Sequence, residues 1–185
     1  MAVAAMAFAI CAPADACCVR AHLFPPGYRH HARDAPPPPL AIGDSVMLGA
    51  ARPLARAGFE VDAREGRFMR SALRILRTRR RLGRRPSIAV VAMGTNAPAR
   101  YSEIRRALRL LGPGRTLALV TPKRSWRGLG AGPILRAKRL HPARVRVLDW
   151  VAFSAAHPGW FWGDGTHLRP RGARAYTRLL RRVLP

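Results

Sequence analysis

The amino-acid sequence predicts an α/β protein in which a central parallel sheet of about five strands is covered by helices on both faces. The first observation is a regular alternation, after Leu40, of short apolar runs with longer amphipathic stretches. Strands buried on both faces read as continuous apolar runs, and parallel neighbours need a crossover between them. The second observation is size, because 185 residues of which 49% are hydrophobic can bury one sizeable core.

Five apolar runs predict the strands, and the amphipathic stretches that follow them predict the helices. The predicted strands are 40–43, 59–63, 87–93, 116–120 and 145–148. The predicted helices are 46–57, 68–82, 102–111, 134–140 and 171–183. Since open parallel sheets bind ligands at the carboxyl ends of their strands, polar residues directly after the strands are candidates for a functional site.

The chain before Leu40 lacks the alternation of apolar and amphipathic segments that follows it, and it divides into an apolar start and a Pro-rich stretch. Residues 1–24 form a predicted leader, in which an apolar start precedes the small-x-small pattern Ala14-Asp15-Ala16 that is typical of a signal-peptidase site. The apolar run is much shorter than the ~20 residues of a membrane span. We therefore expect an extracytoplasmic or secreted protein without a membrane span, or a cytoplasmic one if the leader is not a signal. Residues 25–39 are a Pro-rich linker, and 40–185 form the domain.

Metal and cofactor chemistry finds little support in the sequence. The three cysteines, Cys11, Cys17 and Cys18, all lie in the leader, so the domain contains no disulfide and no thiolate metal site. His30 and His31 of the linker lack a third ligand at metal-binding spacing. We expect no metal and no organic cofactor.

The formal net charge of +25 comes almost wholly from arginine, since Lys123 and Lys138 are the only lysines. This charge indicates a solvated basic surface with, at most, weak association with anionic polymers. The arginines of 77–85 surround a predicted helix without interleaved aromatic residues, so no specific nucleic-acid binding is expected. A basic nucleic-acid- or polyanion-binding protein is the alternative from another functional class.

Three polar motifs follow strands of the predicted sheet and therefore meet at one edge. They are Gly43 to Val46, Gly94 to Asn96 and Asp164 to His167. Serine is a weak nucleophile until an imidazole takes its proton, and a carboxylate orients that imidazole. The pattern predicts Ser45 as nucleophile, His167 as base and Asp164 as the orienting group. The structural alternative is a helix cap after the first strand and a simple turn at Asp164.

These motifs, in this order, resemble the signature blocks of the SGNH or GDSL-type hydrolases. Gly66, within Glu65-Gly66-Arg67, lies where the second block has its glycine, and Ala97 replaces an aspartate common in the third block. The resemblance covers about residues 40 to 185 and implies a flavodoxin-like α/β/α sandwich. It also implies an oxyanion hole made by the N–H groups of Ser45 and Gly66 and the amide of Asn96.

The chain looks most similar to the extracytoplasmic SGNH domains of peptidoglycan and polysaccharide O-acetyltransferases, because of Asp149-Trp150, His157-Pro158 and Trp160 to Trp162. The resemblance implies a serine esterase that cleaves acyl esters, acetyl above all, of a small molecule or a cell-wall glycan. An O-acyltransferase with the same triad is the alternative, and a glycan-binding module without turnover is a third. The candidate substrate contacts are Thr95, Trp160 and Trp162. Trp126, Trp160 and Trp162 are candidates to line a sugar-binding mouth, and packing within the protein is the alternative role for these tryptophans.

Overall fold

The computed structural model describes residues 20–28, 36–123 and 130–185. The predictions made for the three cysteines, the two linker histidines and Trp126 fall outside these residues.

One six-stranded sheet forms the centre of the described chain, in the order β1-β3-β2-β4-β5-β6. Its strands are β1 (Arg20–Leu23), β2 (Leu40–Gly43), β3 (Glu60–Arg64), β4 (Ile88–Ala92), β5 (Thr116–Val120) and β6 (Val145–Leu148). Strands β2 to β6 are parallel, and β1 pairs antiparallel with β3 at one edge. The predicted α/β fold with a five-stranded parallel sheet is confirmed, with one added edge strand.

Seven α-helices and a short 3-10 helix at Pro158–Trp160 connect or follow the strands in the described residues. The helices are α1 (Ser45–Leu48), α2 (Ala51–Arg56), α3 (Met69–Arg81), α4 (Tyr101–Leu111), α5 (Gly132–Leu140), α6 (Trp150–Ser154) and α7 (Pro170–Arg181). All five predicted helical regions are present, although the first region is divided into two.

The structure differs from the predicted elements at three places. The predicted helix 46–57 is interrupted after Leu48, where the Ala50 N–H bonds to the carbonyl of Met47 in a tighter turn. Strand β1 lies within the segment predicted as leader, and its four residues are too few to show a period. Helix α6 is short, and its start is fixed by Asp149, whose side chain accepts a hydrogen bond from the Ala152 N–H at 3.1 Å.

Two apolar cores lie on opposite faces of the sheet, because successive residues of each strand alternate between faces. On one face, Ala41 packs with Leu54 and Leu180 of the helices α2 and α7. On the other face, Leu40 and its neighbours in the sheet pack against α3, α4 and α5. This three-layer arrangement holds the carboxyl ends of the parallel strands at a single edge.

Strand β2 lies at the point where the strand order reverses. The chain passes from β2 to β3 on one side and then returns to β4 on the other, so that Gly43 is in register with both Ala63 and Ala92. In open parallel sheets, the crevice at such a reversal is the usual ligand site. The loops after β2, β3 and β4 consequently start side by side.

The C-terminal helix approaches the segment before it very closely at Gly172. A Cβ atom there would lie 2.1 Å from the carbonyl oxygen of Trp160. Although Gly→Ala stabilises an ordinary helix interior by about 1 kcal/mol, we expect Gly172→Ala to lower the free energy of unfolding by about 1–3 kcal/mol. Urea denaturation measures this difference.

The matched control is Gly132→Ala, because a Cβ at that helical glycine meets no atom within 4 Å. We expect this variant to be at least as stable as the wild type. Equal stability of the two variants would contradict a rigid contact between α7 and Trp160.

Candidate active site

Ser45 lies directly after the central strand, as the first residue of α1. The preceding residue, Asp44, has an extended backbone and caps the helix, its Oδ1 accepting a hydrogen bond from the Val46 N–H at 3.0 Å. The side chain of Asp44 is buried, whereas Ser45 is half-buried. The sharp turn from strand to helix therefore brings the serine hydroxyl towards solvent at the carboxyl edge of the sheet.

The His167 imidazole joins Ser45 to Asp164, although Ser45 and His167 are 122 positions apart in the sequence. Its Nε2 lies 3.0 Å from Ser45 Oγ, and its Nδ1 lies 2.5 Å from Asp164 Oδ2. Because a carboxylate only accepts hydrogen bonds, the ring proton belongs on Nδ1, and Nε2 is left to accept from the serine hydroxyl. The structure thus brings the three predicted residues into one chain of hydrogen bonds.

A short loop fixes Asp164 and His167 relative to each other. The second carboxylate oxygen of Asp164 accepts hydrogen bonds from the N–H groups of Thr166 at 2.8 Å and His167 at 2.9 Å. An antiparallel bridge between Phe161 and Leu168 closes the base of the loop. Both carboxylate oxygens are therefore used, one to hold the backbone and one to orient the imidazole.

Hydrogen bonding lowers the pKa of Asp164 to about 2. The largest cause is the bond from the His167 ring, followed by the N–H groups of Thr166 and His167. These bonds favour the charged form of the carboxyl group. Asp164 is consequently an ionised acceptor throughout the neutral range, even though its side chain is 45% exposed.

Asp44 is in the opposite electrostatic situation. Burial raises its pKa above the ordinary value of 3.8, and the Val46 N–H, Thr95 and His167 offset this effect only in part. Its Oδ2 is buried without a hydrogen-bond partner among the residues described. The site therefore contains one exposed carboxylate that ionises easily and one buried carboxyl group that resists ionisation.

Asn96 connects the loops that follow β3 and β4. Its Nδ2 donates a hydrogen bond to the carbonyl oxygen of Arg67 at 3.0 Å. This bond uses one of the two protons of the amide group. Gly66, directly before Arg67, has a φ of +65°, a conformation that favours glycine. The two residues predicted for an oxyanion hole besides Ser45 thus belong to loops that are tied together.

Arg67 is a structural residue of the site that the sequence analysis did not identify. It is buried, and its guanidinium group donates to the Asp62 carbonyl oxygen at 2.5 Å and to Asp62 Oδ1 at 2.6 Å. This clamp fixes the loop that carries Gly66. One signal in the sequence could have identified this pair. Asp62 lies in a buried strand, where a carboxylate needs a basic partner, and Arg67 follows five positions later.

The candidate aromatic contacts differ in their surroundings. Trp160 is half-buried, and its ring stacks on Trp150 at 5.9 Å and on His157 at 3.9 Å between centroids. Trp162 is 53% exposed, and the Arg169 guanidinium lies 4.9 Å from its ring centroid. Trp160 therefore serves in packing, whereas Trp162 presents an aromatic surface beside the loop of His167. Thr95 is half-buried near Asp44 and keeps its candidate role.

Neither a metal-binding cluster nor a membrane-spanning helix is present in the described residues. No group of three or more His, Cys, Asp or Glu side chains could hold a metal ion within residues 20–28, 36–123 and 130–185. No helix in that part of the chain has the length and apolar character needed to cross a bilayer.

Comparison with solved structures defines the class of fold. The chain is similar to the C-terminal catalytic domain of Streptococcus pneumoniae peptidoglycan O-acetyltransferase A, with a TM-score of 0.68 and 23% identity over 80% of this chain and 93% of that domain. It is also similar to a lipolytic G-D-S-L family protein from Veillonella parvula, with a TM-score of 0.59 and 14% identity over 78% and 96% of the two chains. The protein has the fold of the SGNH and GDSL-type hydrolases.

Comparison of sequences points to particular relatives within that fold. The chain is 30% identical over 149 residues to the peptidoglycan O-acetyltransferase OatA of Listeria monocytogenes, a match that covers 78% of this chain and 24% of the relative. The chain thus spans about a quarter of the relative's length. No protein-family model matches the chain. The resemblance to SGNH domains of peptidoglycan O-acetyltransferases, predicted from the sequence blocks, is confirmed.

The buried carboxyl group of Asp44 leads to a prediction about pH and stability. Because its pKa is raised in the folded protein, the folded chain binds more protons than the unfolded chain between pH 3.8 and that raised value. Stability contributed at this site is therefore lost as the pH rises through that window. Asp44→Asn keeps a capping acceptor and cannot ionise. We expect the melting temperature of the variant, relative to wild type, to be higher at about pH 8 than at about pH 4.

Asp164→Asn is the matched control for this measurement. The pKa of Asp164 is lowered, so its stabilising charge is fully present above the ordinary value of 3.8 and is lost only as the pH falls towards about 2. The difference in melting temperature between Asp164→Asn and the wild type should therefore change little over the neutral pH range. If the difference in melting temperature between Asp44→Asn and the wild type were the same at about pH 4 and at about pH 8, a buried Asp44 carboxyl group with a raised pKa would be contradicted.

Proposed function

We propose that the protein is a serine esterase that cleaves acyl esters, with acetyl as the acyl group, carried by a carbohydrate such as a cell-wall glycan. The observation that carries this proposal is the His167 imidazole held between Ser45 Oγ at 3.0 Å and the Asp164 carboxylate at 2.5 Å. The similarity to peptidoglycan O-acetyltransferases supports the acyl group and the glycan. It also supports an extracytoplasmic location for the reaction.

The first half of the reaction acylates the serine. Ser45 Oγ attacks the ester carbonyl carbon while His167 Nε2 accepts the hydroxyl proton. The negative charge that develops on the carbonyl oxygen is stabilised by the N–H groups of Ser45 and Gly66 and by the remaining amide proton of Asn96. The bond to the alcohol then breaks, and the imidazolium gives its proton to the departing alcohol oxygen.

The second half releases the acyl group. Water attacks the acyl-serine carbonyl as His167 takes one of its protons, and collapse of the intermediate returns that proton to Ser45 Oγ. The products are a carboxylic acid and the free serine. Throughout both halves, the Asp164 carboxylate stays ionised, keeps the ring proton on Nδ1 and stabilises the transient imidazolium.

An O-acyltransferase is the alternative for the same residues. The similarity to peptidoglycan O-acetyltransferases supports this alternative, and the similarity to a lipolytic G-D-S-L family protein supports hydrolysis equally. In that reaction a sugar hydroxyl, rather than water, attacks the acyl-serine. The 48% exposure of the His167 side chain allows water to reach the base and therefore supports hydrolysis. Exposed Trp162 supports a sugar on the same surface, because aromatic faces provide rigid apolar contact area.

The serine mechanism predicts the behaviour of two single variants. In Ser45→Ala and in His167→Ala, hydrolysis of p-nitrophenyl acetate should fall by at least about 10³-fold, because each variant removes a member of one catalytic unit. The full chain is assayed by release of p-nitrophenol, with circular dichroism to check folding. Activity that survives in Ser45→Ala would rule out the acyl-serine route. Transfer of acetate to an added chitooligosaccharide, detected by mass spectrometry, would favour the transferase.

The oxyanion hole predicts a different kinetic pattern for Asn96→Ala. We expect kcat to fall by about 10²–10³-fold with little change in KM, because the amide proton acts on charge that is present only in the transition state. Since Asn96 also bonds to the Arg67 carbonyl oxygen, the melting temperature of the variant must be measured in parallel. A full kcat in a stable Asn96→Ala protein would exclude the amide from the oxyanion hole.

A further inference from the structure

A ladder of charged side chains lies on the face of the β1–β3 pair that is turned towards α3. Glu60 and Asp62 of β3 are both buried, and each is matched by two basic side chains. The partners of Glu60 are His22, at 2.7 Å, and Arg79; those of Asp62 are Arg20, at 3.6 Å, and Arg67, at 2.6 Å. Each of these two steps therefore consists of one carboxylate between two basic side chains.

The next step of the ladder, at Arg64, has no ion-pairing carboxylate among the described residues, and it shares Arg20 with the step of Asp62. Arg64 follows Asp62 on the same face of β3, and it is directly opposite Arg20 in the antiparallel register. Like charges directly opposite each other destabilise a strand pair. Arg64 is exposed and forms no ion pair with any acidic side chain of the described residues.

An open groove of about 510 Å³ lies at this step. Arg70 and Arg74, which are one helical turn apart on α3, line it together with Arg20 and Arg64. All four arginines are exposed, and the Arg70 guanidinium lies 4.5 Å from the centroid of the Phe68 ring. The groove therefore presents four exposed guanidinium groups around a space large enough for a sugar unit. Its lining also contains two carboxylates, Glu65, which is exposed, and Asp62, which is already paired with Arg67.

The groove adjoins the candidate active site. Gly66, the candidate oxyanion donor, is part of its lining. Ala63 is in register with Gly43, so Arg64 comes one position after the point in β3 that lies beside the end of β2. Because neighbouring strands are about 4.8 Å apart, the loop that contributes Gly66 to the groove starts beside the loop of Ser45.

We propose that this groove is a subsite for a carboxylate of an acidic glycan whose ester is bound at Ser45. The ligand carboxylate would supply the third acid of the ladder, between Arg20 and Arg64. Guanidinium groups bind carboxylates through paired, charge-assisted hydrogen bonds. The two preceding steps are filled by carboxylates, which favours a carboxylate over a phosphate. The inference rests on the proposed function and adds the chemical class of its substrate.

Binding of an acidic oligosaccharide tests this subsite. The Ser45→Ala full chain, titrated calorimetrically at about 0.15 M salt, should bind tetragalacturonate and should not bind xylotetraose. Adding Arg64→Ala should weaken binding on the order of tenfold, because a charge-assisted pair is lost. Arg178→Ala removes the same charge from an exposed position of α7 and should leave binding unchanged. Equal effects of the two arginine variants would overturn the proposal.

Two further measurements sharpen the test. Arg64→Glu places a carboxylate opposite Arg20, so it should raise the melting temperature while it abolishes binding of tetragalacturonate. A short glycerol phosphate oligomer that binds more tightly than tetragalacturonate would overturn the assignment to a carboxylate. Binding by the Ser45→Ala chain, together with a wild-type chain that does not hydrolyse p-nitrophenyl acetate, would support the subsite and contradict the esterase. Hydrolysis of p-nitrophenyl acetate by the wild type, without binding of tetragalacturonate by Ser45→Ala, would support the esterase and contradict the subsite.

Discussion

The parallel pairing of β2 with both β3 and β4 is the constraint on which the rest of the site depends. Because Gly43 is in register with Ala63 and with Ala92, the loops after all three strands begin together. Ser45 occupies the central loop, and its two neighbours are tied by the bond from Asn96 to Arg67. Only the imidazole and its carboxylate must be brought from elsewhere, and the loop closed by Phe161 and Leu168 brings both.

Two aspartates near the same imidazole have opposite environments. Asp164 is exposed, and its hydrogen bonds lower its pKa to about 2. Asp44 is buried, and the loss of hydration raises its pKa. This division leaves a dependable negative charge on the outer side of His167 and keeps the inner carboxyl group as a helix cap. Surroundings rather than residue type thus separate the two roles.

Local patterns predicted much of this fold, and long-range geometry explains the remainder. Strands β5 and β6 were predicted with the observed bounds, since each is a distinct run of β-forming residues. The edge strand β1 depends on its pairing with β3, which leaves no period in the sequence. The break after Leu48 is a tight local turn, in which the Ala50 N–H bonds to the Met47 carbonyl oxygen, and the apolar pattern did not reveal it. The order of the motifs along the chain predicted that Ser45, Asp164 and His167 would lie together, and His167 is hydrogen-bonded to both of the others. Arg67 was not predicted, because its contact with Asp62 forms only when the loop after β3 folds back on that strand.

The closed loop from Phe161 to Leu168 determines how the proposed site could lose its geometry without unfolding of the sheet. It carries the proposed base, His167, and the carboxylate that orients it, and the hydrogen bonds from Asp164 to its own loop make the two groups a single mechanical unit. The serine belongs to a different unit, anchored in the central sheet. Local opening of this loop would therefore break the hydrogen bond between His167 and Ser45 while the central sheet stays intact. Loss of the proposed activity and global denaturation are then separate events.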